Sequence, residues 1–106
     1  MSKYQVVWQE AAYLNLLNIR EEIEKASQSI EIANKILSVI YNRTEDLANF
    51  PNRYPSYLDR PQLRRMVISS DYCVFYRVVE ETKTVRIFNV LRSSTDTLKY
   101  LDSFTT

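Results

Sequence analysis

A chain of 106 residues, 45% of them apolar and with a formal net charge of +1, has the composition of one globular domain spanning residues 1–106 rather than of a disordered tail. It holds no histidine, no glycine and a single cysteine. That excludes Ser-His-Asp and Cys-His nucleophiles, histidine-based metal centres, zinc–cysteine clusters, glycine-rich phosphate loops and an internal disulfide, so no cofactor is expected.

Residues 3–8, KYQVVW, alternate loosely and predict a short first strand. Over residues 9–25 the apolar side chains Ala12, Leu16, Ile19 and Ile23 recur at helical spacing, while Arg20, Glu21, Glu22 and Glu24 favour water. Ser27-Gln28-Ser29 breaks that pattern. Either serine can cap a second helix by accepting a backbone N–H, and Glu31 in the first turn suits the helix dipole. Ile30, Ala33, Leu37, Ile40 and Leu47 form the second apolar stripe. Phe50-Pro51 ends it, because a residue before proline is driven out of the helical region. Two helices with so short a joint predict an antiparallel hairpin, whose apolar face needs another layer to cover it.

Residues 51–63 carry all three prolines and read as a loop. Residues 64–68, 72–79 and 84–91 are strand candidates joined by glycine-free turns, and residues 95–101 predict a short closing helix. The fold class is α+β: an N-terminal strand, a helical hairpin packed on a mostly antiparallel curved sheet, and a short C-terminal helix.

Charge is spread unevenly. Residues 1–50 hold five basic and seven acidic side chains and residues 51–106 nine and six, so the balance moves from −2 to +3. Alternation places Tyr72, Val74, Tyr76 and Val78 on one face of the third strand candidate's neighbour and Cys73, Phe75 and Arg77 on the other. Pairing Val78 with Val85 sets Tyr76 beside Ile87, Arg77 beside Arg86, Phe75 opposite Phe88 and Asp71 near Arg92. One face is then apolar and receives the helices. The other mixes Phe75, Phe88, Arg77, Arg86 and Arg92. Two arginines directly opposite repel, and arginine among exposed aromatics is the composition of a binding surface for protein or nucleic acid. The alternative is that Glu80 and Glu81 neutralise these arginines and the surface is only solvated.

The order of elements, together with the stretch LRRMVISSDYCVFYRVVEETKTVRIFNVLR, resembles the RelE/ParE toxin superfamily of type II toxin–antitoxin modules. The shared pattern is a basic strand, a turn, Tyr-x-aliphatic-x-Tyr-Arg/x-Val, a short acidic turn, and Val-x-Ile-x-x-Val-x-x-Arg. Leu47-Ala48-Asn49-Phe50-Pro51 fits the end of the family's second helix. The likeness spans nearly the whole chain.

The resemblance implies one of two activities. RelE-like members enter the ribosome and cut mRNA as metal-independent endoribonucleases, using basic groups and often a tyrosine. ParE-like members poison DNA gyrase with no nuclease site of their own. Both are silenced by a cognate antitoxin, in the cytoplasm and without a membrane, and self-association or a toxin–antitoxin hetero-oligomer is open. Carried over residue by residue, the ribonuclease pattern keeps Arg64 and Arg92 as catalytic candidates. Met66 stands where a second basic group belongs, Cys73 stands where an arginine belongs, and Tyr100 is near the tail tyrosine at a different spacing. One such transition-state donor is worth about 3–4 kcal/mol, and a thiol does not replace a guanidinium. The resemblance is therefore closer to ParE-like members, with Arg65, Phe75, Arg77, Arg86, Phe88 and Arg92 as the partner-binding set. A ribonuclease is the alternative, and a non-toxic remnant that only binds is the second.

Overall fold

The structure, a computed structural model, describes residues 3–57, 60–69 and 71–93. Strand β1 (Gln5–Trp8) leads directly into helix α1 (Glu10–Ser27), and α2 (Ile30–Glu45) follows after two residues. Ser27 and Ser29 divide the joint between them. Ser27 Oγ donates back to the Ile23 carbonyl (2.7 Å), whereas Ser29 Oγ accepts from the Ile32 N–H (3.1 Å) and caps α2. Gln28 between them turns the chain in the left-handed region, φ 54°, at the position where glycine usually ends a helix. Ser69 and Lys83 do the same in the two later turns, so a chain without glycine accepts backbone strain at three reversals.

The hairpin covers one face of a five-stranded sheet of order β1-β5-β4-β3-β2, with β2 at Ser56–Tyr57, β3 at Arg60–Ile68, β4 at Tyr72–Val79 and β5 at Thr84–Arg92. The β1–β5 pairing is parallel and the others are antiparallel. Helix and strand periodicities converge on the core: Ala12, Ile19 and Ile23 of α1, Ala33 and Ile40 of α2, Met66 and Ile68 of β3, Val74 and Tyr76 of β4, and Val85, Ile87 and Val90 of β5. Full burial of one such side chain as large as Ile40 contributes about 1.5–3 kcal/mol. Tyr76 adds a polar tie, because its buried hydroxyl donates to the Pro51 carbonyl (2.9 Å) and fastens the post-helical loop to the sheet. Trp8 stacks on Tyr41 and holds β1 against α2.

Two expectations change. Residues 51–63 are not all loop: β2 lies within them and β3 begins at Arg60, where Pro61 is tolerated because β2 covers only a short length of that edge. The β4–β5 register follows the expected Val78–Val85, Arg77–Arg86 and Tyr76–Ile87 pairs, then slips by one residue. Beyond the slip, Phe75 lies opposite Asn89 instead of Phe88, and Arg92 opposite Tyr72 instead of beside Asp71. The physical reason is a β-bulge at Phe88, which inserts one residue into β5 and reverses the phase of everything after it. Asn15 of α1 stabilises the bulge, its side-chain oxygen accepting from the Val90 N–H (3.2 Å) and from Asn89 Nδ2 (3.1 Å). The expected closing helix at residues 95–101 lies outside the described residues.

Candidate partner-binding face

The face of the sheet turned away from the helices has two halves. Toward the Tyr72 end of β4, Leu63, Cys73, Phe75 and Leu91 form a second small core, flanked by Tyr57 and Phe88. Phe75 is therefore not the exposed aromatic that alternation predicts. It is fully buried, with Tyr57 edge-on at 5.1 Å. The strand β2, read as loop from its prolines, brings in that covering tyrosine.

Arg65 roofs this core. Its guanidinium lies 5.4 Å from the centre of the Tyr57 ring and donates through Nε (3.3 Å) and Nη2 (3.2 Å) to Cys73 Sγ, which also meets Ser93 Oγ at 3.5 Å. A shallow concavity of about 370 Å³ opens beside it, lined by Tyr54, Pro55, Ser56, Tyr57, Arg65 and Val67.

The other half carries Arg77 and Arg86, directly opposite each other across β4 and β5 and both exposed. Phe88 is half-buried beside them, and Val7 of β1 pairs with Arg86 on the far side. With its amide turned so that both partners are satisfied, Gln9 offers its oxygen to Arg86 Nε (3.0 Å) and Nη2 (3.2 Å). Glu80 does not neutralise the pair. Its carboxylate accepts from the Tyr4 hydroxyl at 2.7 and 3.0 Å and lies 3.7 Å from Lys83 Nζ. The Tyr4 hydrogen bond, followed by the Lys83 charge, holds that carboxyl below the usual carboxylate range. Among the described strand positions on this face there is no aspartate, glutamate or lysine.

Arg92 leaves this face. The bulge turns it to the helix side, where Nε meets Glu22 Oε2 of α1 at 3.1 Å and the guanidinium sits 6.0 Å from the centre of the Tyr72 ring. Burial lifts the Tyr72 hydroxyl above its ordinary pKa, with the Arg92 charge opposing. Arg64 is also on the helix side. It lies opposite Tyr76, and its Nη1 donates to the Tyr54 carbonyl. Burial pushes the Tyr76 hydroxyl up to about 12, against the lowering influence of Arg64.

Arg64 and Arg92 thus share a face without forming a cluster. They lie on strands two apart and four pairs out of step, roughly 13 Å along the strand direction. Met66 and Cys73, at the other two positions of the ribonuclease pattern, are fully buried. Sequence reasoning missed Gln9 and the bulge. Asn89 was the available signal, a polar residue within the apolar run IFNVL that fits neither phase of a strict alternation.

The comparisons with known proteins agree with this architecture. The chain superposes on a chain of the chromosomal ParDE TA system from P. aeruginosa with a TM-score of 0.72 and 18% identity, covering 85% of this chain and 96% of that one. The toxin–antitoxin complex RelBE2 from Mycobacterium tuberculosis gives 0.67 and 21%, covering 90% and 97%. The isolated E. coli RelE toxin gives 0.61 and 14%, covering 94% and 95%. At these identities the likeness is one of fold. No curated protein matches by sequence. The family described as ParE toxin of type II toxin-antitoxin system, parDE, matches residues 6–97. Its match takes in all but the first residue of β1, both helices and every later strand, and so the chain belongs to the ParE toxins of type II toxin–antitoxin systems.

Proposed function

We propose that the chain arrests growth by inhibiting DNA gyrase through protein–protein contact, and that a cognate antitoxin neutralises it. One observation carries the choice against RNA cleavage. The two basic residues kept from the ribonuclease pattern, Arg64 and Arg92, are apart and engaged internally, and the other two positions are the buried Met66 and Cys73. Phosphoryl transfer needs several positive groups converging on the developing oxyanions, and the separation of Arg64 and Arg92 among the described residues favours the reading without cleavage.

The surface that remains suits a protein. Arg77, Arg86 and the half-buried Phe88 form a face with no carboxylate among its described strand positions, and α1 exposes Tyr13, Leu14 and Leu17 on its outer side. An antitoxin covers the arginine–aromatic face or the helical hairpin. Induced expression without antitoxin is expected to stop growth, accumulate relaxed or cleaved DNA and raise the DNA-damage response while transcripts stay intact. The RelE-like alternative predicts codon-positioned cuts by primer extension, abolished by Arg92→Ala. Their appearance would replace the gyrase reading. Absence of any growth effect would leave the non-toxic binding module.

A further inference from the structure

We propose that Arg77 and Arg86 form a two-guanidinium clamp for a carboxylate carried by an extended acidic segment of a partner protein. This rests on the toxin reading above, in which that partner is the antitoxin. The two residues are register partners, so their Cβ atoms are about 4.5–5.5 Å apart, close enough for one anion to meet both side chains. Alone, the pair is a liability, since like charges facing each other across strands destabilise a sheet. Among the described residues neither arginine forms an ion pair. In the turn that follows β4, the Glu80 carboxylate is committed to Tyr4 and Lys83. The Gln9 amide is neutral, but it fixes the Nε–Nη2 edge of Arg86 and leaves the Nη1 end of that fork for a ligand.

The composition selects protein over nucleic acid. At its described strand positions the face is arginine with aromatic and aliphatic neighbours and no lysine, which is the profile of a protein-interface centre. A whole-chain net charge of +1 gives little of the general phosphate attraction on which nucleic-acid binding depends. The carboxylate supplies the missing counter-charge, and Phe88 and Val7 supply apolar area that keeps water from the pair.

The test uses the full chain and, as probe, the purified product of the reading frame immediately upstream. Affinity is measured by calorimetry at low and high salt for the wild type, Arg77→Ala, Arg86→Ala, the double variant and Lys3→Ala, an exposed cation ahead of β1 and outside both candidate surfaces. Each single variant is expected to bind about tenfold more weakly and the double about a hundredfold, with a shallower salt dependence, while Lys3→Ala binds as wild type. The same single variants should melt roughly 2–4 °C higher as free protein, because the repulsion is gone. Weaker binding by a more stable protein is a combination that misfolding does not produce. If the complex forms and the double variant binds like wild type, the clamp is wrong and the toxin reading stands. If the wild-type chain does not bind the upstream product, the partner reading fails and the clamp with it. Tighter binding of a single-stranded oligonucleotide, lost in the double variant, would overturn the carboxylate in favour of phosphate.

Discussion

Tyr76 joins three parts of the molecule at one side chain. Its ring lies in the core, its backbone pairs with Arg64 and Ile87, and its hydroxyl donates to the Pro51 carbonyl. Replacing it with phenylalanine leaves that buried acceptor unpaired and is expected to cost about 1–3 kcal/mol, read from denaturant unfolding. The hydroxyl also titrates. Its folded pKa of about 12 lies above the ordinary value of 10.0, so the protonated form is favoured by folding. Stability from this source is complete below pH 10 and is lost as pH rises from 10 toward 12. Tyr72 is shifted the same way, by burial. The wild-type melting temperature should therefore fall across that window, and Tyr76→Phe should flatten the fall. Arg92 is a contrasting case. Its pair with Glu22 has side chains 50% and 55% exposed, so Arg92→Ala should cost no more than about 1 kcal/mol.

At the scale of elements, the helical hairpin was legible because period 3.6 and a serine cap act locally. Ala12, Ile19, Ile23, Ala33 and Ile40 are buried as their spacing requires, and Ser29 caps as its place before Ile30 requires. The Arg77–Arg86 pairing was legible because the turn between β4 and β5 sets the register nearest to it. What lay beyond the bulge was not. One inserted residue at Phe88 moves Arg92 from one face to the other, and its stability depends on Asn15, more than seventy positions away in sequence. Burial of Phe75 was hidden for a related reason, since the covering Tyr57 reaches it across β3 from a two-residue strand within a proline-rich segment. Asn15→Ala should test the bulge directly. It removes the acceptor of the Val90 N–H and of Asn89 Nδ2, with an expected loss of about 1–3 kcal/mol and faster amide exchange at Val90. Gln28→Gly should act in the other direction, stabilising by about 0.5–1 kcal/mol through release of the left-handed strain, read as a higher melting temperature.

For the whole molecule, the division of labour follows from which face each basic residue reaches. The helix face carries Arg64 and Arg92, each engaged with internal partners, and the opposite face carries Arg77 and Arg86, which repel each other in the free chain. An uncovered arginine pair on one face suits a toxin held by its antitoxin, and the proposed gyrase reading rests on Arg64 and Arg92 standing apart among the described residues. Fold and family were readable from the order of elements and from the spacing in YCVFYRVV and VRIFNVLR. The target was not, because it depends on how far apart side chains stand once the strands are assembled. The most direct measurement adds the purified chain separately to a gyrase supercoiling reaction and to a programmed translating ribosome. Inhibited supercoiling with mRNA left whole is the predicted result. Unaffected supercoiling with codon-positioned cleavage of the mRNA would contradict it.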